Sequence, residues 1–306
     1  MKKVVPLSDI ITFLGKEIKA IYGNPEGIGI HYLKDPQNVD EYTLDWINLQ
    51  RMDKQQIVEA TKAKAIIAGP GVEYTAPIIK QGKVILLVDN PKLAIAKIGN
   101  VFFVDKMMPG IHPTALIHPE AVIGNGAFIG SNAYIGRCKI GNNVVIHENV
   151  VVHDNMVIKD NVLIHSGSVI GSDGLGCERE KDGRLVKFPH FGGVIIEENV
   201  EIGAACVIAK GALSNTIIGK GSKINVGCFI AHNVVLGQNV WISPKVNIAG
   251  SVKIGDNVTL FSSAIIREQK TIGDDAIIGM GAVVTKNVPA GETWIGNPAR
   301  KLEKKQ

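Results

Sequence analysis

The side chains able to carry chemistry in this 306-residue chain are few and spread out. Eight are histidines, and imidazole titrates near neutral pH, so each is a candidate proton acceptor or metal ligand. His147 and His165 stand 18 residues apart, and His232 stands 18 residues before Gly250. His190 and Asp173 share a polar, Gly-rich stretch. The four cysteines show neither a disulfide framework nor paired zinc-ligand spacing. Lys286, Arg300 and Lys301 form a basic cluster late in the chain. Lys and Arg suit phosphate recognition, and a solvated cluster is the other reading. An 18-residue spacing brings side chains together only where the backbone itself repeats.

It does repeat. An aliphatic residue recurs every six positions through Ile111, Ile117, Ile123, Ile129 and Ile135. One residue is dropped, and the series resumes at Ile140, Ile146, Val152, Ile158, Ile164 and Ile170. It restarts at Ile196, Ile202 and Ile208, then runs in steps of six from Ile218 to Val284. A period of six fits neither the 3.6 of an α-helix nor a plain alternating strand. It predicts short strands joined by tight turns, each with one aliphatic pointing inward. Gly and Asn at the turns tolerate left-handed backbone. Small residues four places after the aliphatic suit a second inward position, and Cys206 and Cys228 fall there as core fillers. Residues 171–194 and 209–216 interrupt the series as loops, and long loops on rigid scaffolds often carry function.

Composition agrees and excludes. Hydrophobic residues make up 45% but aromatics only 5%, with 34 glycines, which favours thin repetitive layers over a single globule. A balance of 33 basic against 29 acidic residues, net +4, argues against a nucleic-acid surface. No run of about 18 apolar residues predicts a membrane span. The start, Met1-Lys2-Lys3-Val4-Val5-Pro6, does not read as a signal peptide, so a cytoplasmic protein is expected.

Residues 1–108 lack the hexads. A short N-terminal strand and helix, a helix over Lys54 to Lys64, the strand Ala65-Ile66-Ile67-Ala68, the strand Val84 to Val88 and a helix opening at Pro91 predict a small α/β domain. The expected division is an α/β domain at 1–108, a repeat domain at 109–292 and a tail at 293–306.

Units such as Ile123-Gly124-Asn125-Gly126-Ala127-Phe128 resemble the hexapeptide-repeat acyltransferases. The resemblance implies a left-handed parallel β-helix with three hexads per coil, built as a homotrimer with active sites between neighbouring helices. Within that group, several stretches resemble the UDP-3-O-acylglucosamine N-acyltransferases of lipid A synthesis. They are Ile111-His112-Pro113-Thr114-Ala115, His165 through Gly176, Val186-Lys187-Phe188-Pro189, Gly211-Ala212-Leu213 and Ile230-Ala231-His232-Asn233-Val234.

This resemblance implies roles residue by residue. His232 is the base that deprotonates a sugar amine for attack on a thioester. Gly250, one coil on, donates its N–H to the oxyanion. Asp173, His190 and Asn233 are expected near the substrate, and for His190 a plain loop histidine is an equal reading. Trp46 is the counterpart of the aromatic that stacks on uracil, with Asn48 its polar neighbour; a core role for Trp46 stays open. His147, His153 and His165 do not reproduce the ligand spacing of the γ-class carbonic anhydrases that share this scaffold, so a structural or intersubunit role is expected and no metal.

Three departures separate the chain from the lipid A enzymes. Ala209-Lys210-Gly211-Ala212 lacks their carboxylate, Ala264 to Gln269 lacks their second histidine, and the helical extension that engages acyl carrier protein is missing before Gln306. The ending, Gly279 to Gly291 followed by Trp294 to Leu302, resembles the closing coil of coenzyme A-dependent sugar acetyltransferases. There Gly281 and Ala282 would line a pantetheine groove, and Lys286 and Arg300 would meet phosphates. The leading expectation is an N-acyltransferase for surface glycan synthesis. It would move an acyl group from acyl-CoA to a nucleotide-linked amino sugar, with no permanently bound cofactor. The alternatives are the lipid A enzyme with acyl carrier protein as donor and, in another class, a non-catalytic or metal-binding β-helix.

Overall fold

The computed structural model describes residues 4–303, so the first three residues of the start discussed above lie outside it. The chain divides into two compact units, one ending at Lys106 and the other beginning at Met107.

The first unit is a small α/β fold. Its elements are β1 (Val5–Pro6), α1 (Leu7–Leu14), β2 (Ile18–Tyr22), β3 (Gly29–Ile30), β4 (Leu44–Trp46), α2 (Lys54–Ala60), β5 (Ala65–Ala68), α3 (Ala76–Lys80), β6 (Val84–Val88) and α4 (Pro91–Ile98). The main sheet runs β2-β6-β5-β4, with β4, β5 and β6 parallel and β2 antiparallel to β6. Ala65 to Ala68 and most of β6 are buried, as continuous apolar runs in a parallel sheet require. Helix α2 is shorter than expected and stops at Ala60. Thr61 turns to extended backbone and donates its hydroxyl to Asp45 at 2.7 Å. Helix α4 begins as its residues dictate, with the Asn90 side chain accepting from Leu93 N–H and Pro91 in the first turn.

The second unit is a parallel β-helix. Its strands are mostly two residues long, the first side chain outward and the second inward. Each strand pairs with its counterpart one coil on, as Val145 with Leu163 and Ile146 with Ile164. Where the sequence drops a residue the coil shortens but the register holds, pairing Ile140 with Ile123. Inward positions stack into ladders such as Ile146, Ile164, Ile202, Ile224, Ile242, Leu260 and Ile278, all essentially inaccessible. Each such side chain contributes about 1.5–3 kcal/mol of burial. Cys138, Cys206 and Cys228 fill the same core, and burial pushes the Cys138 thiol up to about 11.

Corners carry the left-handed residues. Asn143, Asn161, Asn199, Asn233, Asn239 and Asn257 all hold φ near +60°. Asn tolerates this conformation better than other side chains do.

The insertion after Ile170 leaves the helix and folds back as an antiparallel hairpin of Cys177–Arg179 and Leu185–Lys187. From Thr293 to Lys301 the expected tail is built into the solenoid. Thr293–Ile295 pairs in parallel with Ile277–Ile278 and extends the solenoid sheet, and Arg300–Lys301 folds back antiparallel upon it. The hexad rhythm breaks at Pro289-Ala290-Gly291, yet Trp294 still takes the inward position opposite Ile278.

Candidate functional site

The site is built at one corner of the solenoid, just after the strand Phe229–Ile230. His232 stands at that corner and Asn233 makes the turn, with φ 61°. The backbone there is tied to the next coil, since Ser251 N–H donates to the His232 carbonyl at 2.9 Å.

Asn233 is gripped from several sides. Its N–H donates to the buried Thr216 hydroxyl at 2.9 Å. Its Oδ1 accepts from Ala212 N–H at 3.0 Å, and its Nδ2 donates to the Ser214 carbonyl at 3.2 Å and hydroxyl at 2.8 Å. A backbone donor and a backbone acceptor thus fix which end of the amide is which. Oδ1 also lies 3.1 Å from His232 Nδ1. An amide oxygen only accepts, so Nδ1 must carry the proton. His232 Nε2 is left with its lone pair, the form a general base needs.

Gly250 lies beside that nitrogen. A Cβ at Gly250 would stand 2.7 Å from His232 Nε2 and 2.8 Å from Cε1. Glycine is therefore required here for space. The Gly250 N–H donates to no protein acceptor among the described residues, while its carbonyl accepts from Gln269 N–H at 3.0 Å. His232, Asn233 and, one coil on, Ser251 next to Gly250 line one side of a cleft of about 420 Å³.

The two insertions supply the rest of the cleft. Gly176, Cys177, Glu178, Phe188 and His190 come from the long one, Ala212 and Leu213 from the short one. The loops are bound to each other where Phe191 N–H donates to the Ala212 carbonyl at 2.7 Å and Gly192 N–H to the Gly211 carbonyl at 3.1 Å. The short loop in turn holds Asn233. His190 is buried at 7% exposure and meets His232 edge to face, with ring centroids 5.3 Å apart. The sequence assigns no role to Thr216, Ser214, Ala212 or Phe188, although Ala212 and Phe188 stand in stretches that carry the resemblance. They fall in the two insertions, where no period predicts a neighbour.

Other expected residues fall elsewhere. Asp173 opens on a separate hollow of about 510 Å³ lined by Tyr134, His153 and Lys210. It pairs with Lys187 at 2.6 Å and Lys210 at 2.8 Å, and these two ammonium groups hold its carboxyl down at about 2. Lys210, in the stretch that lacks the lipid A enzymes' carboxylate, takes its partner carboxylate from Asp173. His147 and His165 stack face to face on adjacent coils, centroids 5.1 Å apart, and His165 reaches Glu201 at 3.2 Å. In the first unit, Trp46 is half-buried against the core. Asn48 is exposed, and its side chain accepts from Gln50 N–H at 3.1 Å in a local turn.

The expected donor residues need one correction. Ala282 is fully buried in the solenoid, four places after Ile278 at the second inward position, so its methyl cannot line a groove. Gly281 is an exposed left-handed corner with φ 64° and open space around it. Lys286 is exposed at the corner three coils beyond His232. Arg300 is exposed on the closing strand, donating to the Ala299 carbonyl at 2.8 Å. None of the four lines the His232 cleft.

No helix among the described residues is long and apolar enough to cross a membrane. Among those residues no three His, Cys, Asp or Glu side chains converge on a point that could hold a metal ion.

Comparison with known proteins bears on this arrangement. The bacterial transferase hexapeptide (six repeats) family matches residues 137–172 and 233–268. The hexapeptide repeat of succinyl-transferase matches 120–153 and 251–286. A UDP-3-O-acylglucosamine N-acyltransferase of Coxiella burnetii is 53% identical over 70 residues, 23% of this chain and 20% of that protein. One of Francisella tularensis subsp. holarctica is 49% identical over 71 residues, 23% of this chain and 21% of that protein. The chain thus spans only about a fifth of the length of the curated relatives it matches, 20% for the first of them. Among solved structures, the UDP-N-acetylglucosamine acyltransferase of Francisella novicida superposes with a TM-score of 0.58 at 26% identity, over 63% of this chain and 70% of that one. The enzyme of Campylobacter jejuni gives 0.56 at 26% identity, over 63% and 74%.

Proposed function

We propose that this chain is an N-acyltransferase that moves an acyl group from a thioester to the amine of a UDP-linked amino sugar. One observation carries the reading: Asn233 holds His232 as the Nδ1–H tautomer, its Nε2 lone pair against the side of Gly250 that lacks a Cβ. The similarity to UDP-3-O-acylglucosamine N-acyltransferases supports the acceptor class, and within it favours the lipid A type over the surface-glycan sugar expected from the ending.

The steps follow from the geometry. The amine nitrogen attacks the thioester carbonyl carbon while His232 Nε2 takes its proton. The carbonyl π pair moves to oxygen, and Gly250 N–H donates to that oxyanion. The oxyanion collapses, the C–S bond breaks, and the thiolate leaves with the proton from His232 Nε2. Three copies side by side would complete the cleft with side chains from a neighbour.

The donor has two candidates. Acyl carrier protein fits the relatives' class. Acyl-CoA is favoured by the exposed cations Lys286 and Arg300 on the closing coils. Purified chain assayed with a UDP-linked 3-O-acylglucosamine and each donor decides the matter. Transfer from acyl carrier protein alone overturns the coenzyme A version. His232→Asn should slow transfer by about 10²–10⁴-fold, the usual worth of a general base. Unchanged turnover in that variant would overturn the assignment of His232.

A further inference from the structure

One atom in the cleft is out of balance. His190 Nδ1 lies 3.0 Å from the Phe188 carbonyl, which only accepts, so Nδ1 carries the proton and Nε2 a lone pair. That Nε2 is the single buried side-chain nitrogen or oxygen without a hydrogen-bond partner among the described residues. Its surroundings are the His232 ring and Gly174. A Cβ at Gly174 would overlap His190 Nε2 and stand 3.1 Å from His232 Cδ2. The lone pair and the edge of the His232 ring therefore flank the same missing side chain. The rings cross at 81°.

A sealed acceptor without a partner destabilises the resting chain. The balance changes when His232 takes a proton. The imidazolium edge then brings positive charge beside a fixed lone pair that is itself sealed from water, where the attraction is least screened. An interaction that is worth more after proton transfer than before it accelerates the transfer.

We propose that His190 is a positioning residue whose buried Nε2 lone pair stabilises the protonated form of His232. The proposal rests on the reading of His232 as the base. Phe188 sets the tautomer of His190, and Gly174 leaves the space between the two rings. The other titratable and charged groups on the segments packed around the pair are Cys177 and Glu178 on the hairpin and Asp173 with Lys187 and Lys210 at its root. Beyond Gly250 the next coil brings Arg267 paired with Glu268.

The test uses two variants of the whole chain. Asn can keep the hydrogen bond to Phe188 but has nothing at the Nε2 position, whereas the Gln carbonyl can reach it. In His190→Asn, NMR titration of His232 in histidine-labelled protein should move to lower pH by about one unit. The acidic limb of the pH–rate profile should move the same way, with kcat down about tenfold and KM held within about twofold. His190→Gln should restore most of both. An unmoved His232 titration in His190→Asn, with the fold intact by its thermal midpoint, overturns the proposal. So does a raised KM at full kcat, which would make His190 a substrate contact. The titration needs no substrate. If the parent chain transfers no acyl group yet the titration moves, the functional reading fails and the coupling between the two histidines stands.

Discussion

Asn233 does two separate things at one corner. Its backbone makes a left-handed turn, and its side chain fixes the proton on His232. Alanine would strain the first and abolish the second. Asn233→Ala should lower kcat by about a hundredfold, with KM nearly unchanged, because the base is then free to take the wrong tautomer or to rotate. Steady-state kinetics with either donor checks the split. Family resemblance picked out His232, Gly250 and Asn233 in the sequence, and the repeat sets His232 and Gly250 one 18-residue coil apart. His190 lies 42 residues before His232 in an insertion without a period, and only folding brings the two rings together. Ala282 shows the opposite error. Family likeness suggested a groove residue, while the hexad count alone puts it inside.

At the scale of elements, the cleft depends on two loops that the coils do not themselves order. The long insertion is fastened at its root by the ion pairs of Asp173 with Lys187 and Lys210. The Asp173 carboxyl is held at about 2 in the folded chain, below its ordinary 3.8. A depressed carboxylate adds stability above the ordinary value and loses it as pH falls through the folded one. Since Asp173 is largely exposed, the effect is small and local. Hydrogen exchange of the hairpin 177–187 should therefore quicken between about pH 4 and pH 2. Asp173→Asn should be loose already at pH 5 and show no acid step; an identical acid step in that variant would contradict the fastening. The regular strands were legible because each hexad repeats the same physical decision. Neither the hairpin nor this fastening was: the hairpin lies in an insertion without a period, and the fastening joins Asp173 to cations well removed in sequence, Lys187 and Lys210.

For the whole molecule, the outer surface near the cleft is more apolar than a lone chain needs. Leu175, Phe191 and Leu213 are 81%, 73% and 73% exposed, and Phe188 and Leu213 line the cleft itself. Apolar surface of this kind marks contact with a partner. The partner we propose is two further copies of this chain. Sedimentation equilibrium should give three times the chain mass, and Leu213→Asp should weaken the assembly while leaving the β-helix fold detectable by circular dichroism. A stable monomer with full transfer activity would remove the need for a shared cleft.

The closing strand has a consequence for growth. A stack of parallel coils is a template at its last rung, with unpaired N–H and C=O groups ready to accept another strand. Here Arg300–Lys301 runs the other way across Thr293–Ile295, and Lys301 is pinned to Glu292 at 2.6 Å. A reversed, positively charged strand cannot continue the parallel ladder of the eleven-stranded sheet, so at that edge the chain carries its own stop against adding copies end to end into a fibre.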